Sequence, residues 1–554
     1  MRLIFIDPPK RTPRSALSLV LLASVWLAVL GNLALWRSLM ELPDLTGWRG
    51  VVFGVAFALI IGSVLTALLS LLAWRWTLKP AISFLLLCAG FATHYMLSYG
   101  IVVDTPMLIN VLQTDSREAH DQLSLGLALT VAALAGLPLW WLWRQAWAPL
   151  GWGQLAWRNV GGCVAGLLVA FGITQAVFQD FASLMRNHPQ LRYQINPLNS
   201  VYAILDLTVI PSEHRSGPLH TLGEDARIAP RSAKAADAQH PPLLVLVLGE
   251  TARGKNFSLN GYERLTNPLL AQENVVSFSQ VTSCGTSTAE SVPCMFSHLG
   301  REGFAQRQHE SENLLDVLQR AGYAVLWMDN QSGCKDQCDR VANVNTSSLK
   351  VPGECEDGEC RDTVMLTRIE AELAKLPAEK RARGTVVVMH QMGSHGPAYF
   401  KRTPAAFKTF QPECQDNSLS RCERQQVVNA YDNTIVFTDY FLSRLIGWLK
   451  TQEKTSTPAM LYVSDHGESL GENNLYLHGL PFAMAPDVQK HVAMISWLSP
   501  GFERWSGVST ACLKQQRDRA LSHDHLFHSV LGAMAVHTRV YQAERDLFVA
   551  CQGR

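Results

Sequence analysis

Five windows of this chain, residues 15–36, 50–74, 80–103, 122–143 and 159–179, contain no Asp, Glu, Lys or Arg. Each runs 21 to 25 residues, and about 20 apolar residues suffice for a helix to cross a bilayer. In hydrocarbon no water satisfies the backbone, so a helix is the form open to such segments. The competing reading is buried core helices. Five such windows within the first 180 residues leave too little polar sequence to cover them. Trp26, Trp36, Trp74, Trp76, Trp140, Trp141 and Trp143 lie in or beside the windows, several near ends, where an aromatic belt sits. The first window does not read as a cleavable leader: four more follow it, and no clear small-residue cleavage site does.

The loops carry an orientation. Arg2, Lys10, Arg11, Arg14, Arg75, Lys79, Arg144 and Arg158 fall on one side of the expected spans, and only Arg37, Arg49 and Arg117 on the other. An excess of Lys and Arg marks cytoplasmic loops. The expectation is a cytoplasmic N-terminus and, five being odd, an outside location for everything after about residue 180. The net charge is +1; without a concentrated basic patch this argues against a nucleic-acid binder.

Cysteine usage points the same way. Cys88 and Cys163 lie in the apolar third, and the other ten fall between 284 and 551. Cys284/Cys294, Cys334/Cys338, Cys355/Cys360 and Cys414/Cys422 are close pairs, with Cys512 and Cys551 left over. An even set outside the cytoplasm reads as disulfides. Neighbour pairing is the expectation, although spacing does not fix connectivity. A zinc-thiolate site competes, but needs these thiols reduced.

The expected division is a transmembrane domain over 1–180, a connector helix and linker over 181–242, and a catalytic α/β domain over 243–554. Asn196-Pro197-Leu198-Asn199-Ser200 predicts a helix start, with Asn as cap and Pro in the first turn. Residues 214–242 have no apolar period and read as linker. Beyond them, short apolar runs at 243–248, 275–281, 324–327, 385–389, 460–463 and 491–497 predict buried strands. Helical stretches at 311–321, 362–376 and 424–450 fall between. That alternation implies a mainly parallel sheet covered on both faces.

Polar residues follow three of these runs directly. Glu250 follows the first, His390 and His395 the fourth, and Asp465-His466-Gly467-Glu468 the fifth. Ligands bind outside the carboxyl ends of strands in an open α/β sheet, so these ends suggest a metal site. Cys284-Gly-Thr-Ser-Thr-Ala-Glu-Ser-Val-Pro-Cys294 sets three hydroxyls, Thr286, Ser287 and Thr288, where a helix begins. A helix N-terminus favours a phosphate. A divalent metal lowers a hydroxyl's pKa and screens phosphate oxygens. A hydroxyl that merely caps the helix is the alternative.

Four longer motifs make the chain recognisable. They are Gly249-Glu-Thr-Ala-Arg253 with Asn260-Gly-Tyr262, Ser283-Cys-Gly-Thr-Ser-Thr288, His390-Gln-Met-Gly-Ser-His-Gly-Pro397, and Ser464-Asp-His-Gly-Glu-Ser-Leu-Gly-Glu472 running on to Leu477-His-Gly-Leu-Pro481. Together they resemble the phosphoethanolamine transferases of Gram-negative inner membranes, the lipid A-modifying group that includes the mobile colistin-resistance enzymes. The resemblance implies five transmembrane helices and a periplasmic α/β domain of the alkaline phosphatase/sulfatase type. It makes Thr288 the nucleophile, which spacing alone does not separate from Thr286 or Ser287. It makes Glu250, Thr288, Asp465 and His466 the shell of a zinc ion. Those donor types suit zinc without excluding manganese.

His395 and His478 match family positions near the substrate phosphate, where a second zinc sometimes sits. His390 and Lys335 match more weakly, and Glu468 is expected to support the ligands. Asn110, Thr114 and Glu118 recur every four residues and share a face on a helix. They match positions for the lipid donor's headgroup, Glu118 suiting the ammonium. The implied reaction moves phosphoethanolamine from phosphatidylethanolamine to lipid A, lowering surface negative charge and attraction for polymyxin. Membrane lipids are the other expected partners, and a monomer the expected state. Three alternatives stay open: another glycan acceptor, a membrane-tethered phosphodiesterase, and a non-catalytic metal-binding sensor.

Overall fold

The computed structural model describes residues 13–42, 45, 47–114, 119–120, 122–147, 150–188, 190–208, 218–229, 240–356 and 359–553. The chain divides into two compact units, Met1–Thr105 with Leu123–Val209, and Pro106–Gln122 with Ile210–Arg554.

In the first unit all five charge-free windows are helical. The long helices are Ala16–Met40, Gly47–Leu71, Leu78–Tyr99, Leu125–Trp143 and Trp152–Ala176, each long and apolar enough to cross a membrane. The first is interrupted by a 3-10 turn at Leu30–Asn32. Basic residues and tryptophans stack: Arg144 lies 4.1 Å from the Trp140 ring, Arg14 5.2 Å from Trp141 and Lys79 5.6 Å from Trp143. Arg14 and Lys79 both donate to Gln145, so these charges share one end of the bundle.

The connector helix forms at Leu198–Thr208, preceded by two helices the sequence did not signal, Phe178–Asn187 and Gln190–Tyr193. Asn196 is not its cap. The Asn196 amide nitrogen donates to Gly31 O, Ala89 O and Thr93 Oγ1 at 3.0–3.1 Å. Its backbone N–H donates to Asn32 Oδ1 at 2.8 Å, and Asn32 Nδ2 donates back to its carbonyl. Buried amides must find partners, and here tertiary partners displace the local cap. The expected linker is also tied down where it is described. Leu222 is buried, its N–H donates to Glu312, and Arg227–Ile228 pairs with Val536–His537.

The second unit is built on a seven-stranded sheet. Its strands are β1 (Pro242–Gly249), β2 (Val275–Phe278), β3 (Ala324–Asp329), β4 (Ala342–Asn345), β5 (Thr385–His390), β6 (Thr457–Ser464) and β7 (Met494–Leu498). The order is β2-β7-β6-β1-β5-β3-β4. The strands β6, β1, β5, β3 and β4 are parallel, and β7 runs antiparallel to both its neighbours. Every residue of β1, β3, β5 and β6 is buried, as expected of strands covered on both faces. Helices Leu314–Ala321, Val364–Lys375 and Arg424–Gln452 lie between strands in sequence. The strand expected at 491–497 begins only at Met494, because His491 instead bridges to Thr282.

Five disulfides join Cys284–Cys294, Cys334–Cys338, Cys355–Cys360, Cys414–Cys422 and Cys512–Cys551. Register then positions the polar strand ends. Gly249 lies opposite Ser464 and Leu248 opposite His390, so Glu250 and Asp465 leave adjacent strands together at the sheet's carboxyl edge.

Candidate active site

Glu250, Asp465 and His466 are all fully buried, and their ligand atoms lie within 4.8 Å of one another. His466 Nε2 is 3.3 Å from both Glu250 Oε1 and Asp465 Oδ2. Its Nδ1 donates to the Gly467 carbonyl at 2.9 Å, which directs Nε2 toward the carboxylates. Asp465 Oδ1 accepts from the N–H groups of Thr251 (3.0 Å) and His466 (2.7 Å). Its Oδ2 is buried with no hydrogen-bond partner. Burial and the charge of Glu250 push the Asp465 carboxyl up. Burial works on Glu250 too, but the imidazole of His466 outweighs it and holds that carboxyl low.

Thr288 opens the helix Thr288–Met295, with Ser287 at the cap position. Its Oγ1 lies 3.1 Å from Glu250 Oε2 and 3.4 Å from His466 Nε2. Thr286 faces elsewhere, its hydroxyl donating to Leu480 O at 2.7 Å. Of the two threonines, Thr288 is thus the one that meets the carboxylate–imidazole group.

A second set adjoins it. The His478 ring centroid lies 4.2 Å from that of His466 and 5.9 Å from that of His395. Glu468 fixes His478 through Nδ1 at 3.0 Å and accepts from the Tyr399 hydroxyl at 3.0 Å. Lys335 is carried between Cys334 and Cys338, and its Nζ donates to Ser332 Oγ at 2.9 Å. Ser332 donates to Gln331 Oε1, and Gln331 Nε2 donates to Glu250 Oε2 at 3.3 Å. His390 stands one step back: its Nδ1 meets Asp329 at 3.0 Å, and Asp329 also accepts from the backbone of Gln331 and Gly333.

Asn110 lies on the helix Thr105–Gln113. That helix ends one residue before Thr114, whose hydroxyl bonds back to the Asn110 carbonyl at 2.8 Å. Glu118 lies outside the described residues. Lys335 Nζ also approaches the Gln113 carbonyl at 3.4 Å.

Sequence reasoning missed several supporting groups. Thr251 holds a left-handed backbone, φ +59°, rare for a β-branched residue, and its hydroxyl donates to Glu250 Oε1 at 2.6 Å. Gly393 is needed because a Cβ there would meet the Glu250 carbonyl at 2.8 Å. Gln331, Asp329 and Tyr399 belong to no motif that stood out. The Gly249–Arg253 and Asn260–Tyr262 motifs prove largely scaffolding around Glu250: Arg253 pairs with Glu472, and Tyr262 donates to Asp432.

The site's chemistry suits a cation. Two buried carboxylates repel unless a positive charge lies between them. One buried carboxylate oxygen, Asp465 Oδ2, also lacks a hydrogen-bond partner. Oxygen and nitrogen donors alone surround the point, a set that fits a divalent metal. Among the described residues, no second group of three such donors forms around His395 and His478.

Residues 242–536 match the Sulfatase family model, and residues 61–209 match that of "Phosphoethanolamine transferase EptA/EptB". The chain is 37% identical to phosphoethanolamine transferase EptA of Escherichia coli K12, covering 98% of both chains. It is 37% identical to phosphatidylethanolamine transferase Mcr-1 of Escherichia coli, over 94% of this chain and 95% of that one. The full-length structure of lipooligosaccharide phosphoethanolamine transferase A from Neisseria meningitidis superposes with a TM-score of 0.91 at 33% identity, covering 97% of this chain and 99% of that one. Five apolar helices, a sulfatase-type domain and a threonine set against a buried carboxylate–imidazole cluster thus occur in one chain, which belongs to the phosphoethanolamine transferase family.

Proposed function

We propose that this chain transfers phosphoethanolamine from phosphatidylethanolamine to a lipid A phosphate in two half-reactions through Thr288. It acts from the inner membrane with its N-terminus in the cytoplasm and its catalytic domain in the periplasm. One observation carries the reading: Thr288 Oγ1, at a helix N-terminus, faces Glu250 and His466 at 3.1 and 3.4 Å. The names of the relatives support donor and acceptor, phosphatidylethanolamine for Mcr-1 and a lipooligosaccharide for the Neisseria protein.

Zinc is the metal proposed for Glu250, Asp465, His466 and Thr288; when bound, it would lower the pKa of the threonine hydroxyl and screen the phosphoryl oxygens. In the first half-reaction Thr288 Oγ bonds to phosphorus and the phosphorus–glycerol oxygen bond breaks. The departing diacylglycerol oxygen takes a proton, for which His395 and His478 are the candidates, His478 being held by Glu468. In the second, an acceptor phosphate oxygen attacks phosphorus and Thr288 Oγ leaves. Lys335, His390, Asn110, Thr114 and Glu118 are assigned to substrate positioning, Glu118 at the ammonium. The added ammonium lowers the negative charge of the cell surface and so weakens polymyxin binding.

A ping-pong route needs a covalent intermediate that outlives the first product. With phosphatidylethanolamine present and acceptor absent, the protein should gain the mass of one phosphoethanolamine, mapped to Thr288. Thr288→Ala should not gain it, and lipid A should discharge it. Transfer by acceptor-supplied enzyme, with no adduct in single-turnover experiments, would replace the two steps with direct transfer.

A further inference from the structure

A cleft of about 670 Å3 opens in the second unit beside the helix that begins at Thr288. Lys335 and Glu290 line it, together with three arginines, Arg301, Arg307 and Arg340. Two of the arginines are engaged. Arg340 grips Asp316 through Nε and Nη2, both at 2.8 Å. Arg307 holds Glu310 at 2.9 Å and the Phe304 carbonyl at 2.7 Å.

Arg301 differs. Among the described residues its side chain has no ion pair, and its Nε is buried with no partner. Its guanidinium carbon lies 3.5 Å from the centroid of the Phe482 ring. Stacking fixes a guanidinium while leaving its fork of donors available, and arginine stays charged throughout. Lys490 Nζ lies 5.1 Å from the same ring, so two cations flank one aromatic platform. Glu290, in the same cleft, accepts from the Thr286 N–H at 3.2 Å; the charge of Arg301 acts on it, but the two form no ion pair.

The platform is fixed to the reactive loop. Gly479 N–H donates to Thr286 O at 2.9 Å, the Thr286 hydroxyl to Leu480 O at 2.7 Å, and Ser283 N–H to Lys490 O at 2.7 Å. Arg301 is therefore a positioned cation in a cleft whose lining includes Glu290 but not Thr288, and among the described residues it forms no ion pair.

We infer that Arg301, on its Phe482 platform, binds an acceptor phosphate other than the one that reacts, so the cleft selects a lipid-borne sugar bearing two phosphates. This rests on the transfer to lipid A proposed above. The donor cannot be the partner, because phosphatidylethanolamine has one anionic group and that group must lie at Thr288 to react. A bis-phosphorylated acceptor brings a second one.

The test uses full-length protein in detergent with phosphatidylethanolamine and two acceptors, bis-phosphorylated lipid A and its monophosphorylated form. Arg301→Ala should raise the KM for the bis-phosphorylated acceptor about tenfold to a hundredfold, the range for losing a charged hydrogen-bonding group. The parent's preference between the acceptors should disappear, while kcat and adduct formation from phosphatidylethanolamine change little. Arg301→Lys should fall between. An unchanged KM and preference in Arg301→Ala, or an equal slowing of adduct formation, overturns the inference. Direct binding of bis-phosphorylated lipid A separates the two readings. If the parent binds it in an Arg301-dependent way but does not modify it, the acceptor reading of the reaction fails while the phosphate site stands. If the parent modifies it and Arg301→Ala binds it equally well, the phosphate site alone fails.

Discussion

Asp432 and Asp465 are both fully buried aspartates in the second unit, and they are treated differently. Asp432, on the long helix Arg424–Gln452, is answered from all sides. Asn256 donates to Oδ1 at 2.7 Å, and Tyr262 and Arg264 donate to Oδ2 at 2.9 and 2.6 Å. Arg264 also stacks on Phe410. Burial pushes the Asp432 carboxyl up, and these donors pull it back. Asp465 has backbone donors on one oxygen, none on the other, and a second carboxylate as neighbour. The first arrangement is complete as folded. The second leaves a carboxylate oxygen unanswered and has room for a cation, and that incompleteness separates the two places better than burial or residue type.

If the distinction is sound, substitutions at the two places fail in opposite ways. Glu250→Ala or His466→Ala should cut lipid A modification at least about a thousandfold at normal protein abundance, because sheet and disulfides hold the fold without them. Normal modification in both, read by mass spectrometry of lipid A, removes them from the site. Asp432→Ala should do the reverse. Breaking one side of a buried ion pair costs about 3–5 kcal/mol, so urea unfolding should shift strongly while activity per folded molecule holds. Lost activity without lost stability would erase the contrast.

A buried histidine sharpens it further. His523 Nδ1 accepts from the Cys284 N–H at 3.0 Å and its Nε2 donates to the Ser464 carbonyl at 2.9 Å, which joins the threonine loop to strand β6. Burial lowers its pKa from 6.5 to about 4. The unfolded chain therefore binds a proton that the folded chain refuses between pH 6.5 and about 4. Its contribution is whole above 6.5 and lost as pH falls through that window, roughly 3 kcal/mol in all. Asp439 and Asp546, raised to about 6 by burial, act in the opposite sense, so the informative quantity is a difference. His523→Gln should lose about one proton of pH dependence relative to the parent over that window; parallel stability curves would show that His523 carries none.

The smallest effect concerns the cross-links. Each short disulfide adds about 2–4 kcal/mol, so removing either Cys284–Cys294 or Cys414–Cys422 should lower stability comparably. Only the first brackets Thr288, and only its loss should reduce activity per folded molecule, by several-fold. A larger loss from the second pair would refute loop fixation.

What the sequence disclosed was local. The charge-free windows, the apolar runs of β1, β5 and β6, and the polar residues ending them lie within a few residues of their own signal. Strand register then brings Glu250, Asp465 and His466 together without further information. What it hid was made by distant partners or by weak patterns. The strand β4, Ala-Asn-Val-Asn, is exposed over most of its length and has no apolar period. Gln331 reaches Glu250 across 81 positions and Tyr399 reaches Glu468 across 69. Asn196 looked like a cap because its partners, Asn32 and Thr93, are more than a hundred residues away. The grouping of Pro106–Gln122 with the catalytic unit has no counterpart in composition, since that stretch follows an apolar span and precedes another.

The paired amides of Asn32 and Asn196 carry an implication for how the protein is made. The two residues are separated by 164 positions, and all five apolar helices are synthesised before the second appears. Until then Asn32 has only the local Leu27 carbonyl for its nitrogen, and its side-chain oxygen awaits the Asn196 N–H. Closure of the helical unit through this pair is thus late and far from local, and contacts of long sequence separation are slow to form. A nascent chain stalled before residue 196 should be extracted or proteolysed more readily than one stalled just after residue 208; equal resistance would show that the bundle sets without these late polar links. Quality control at the membrane would then be reading a few polar links that are made only after the fifth apolar helix is complete.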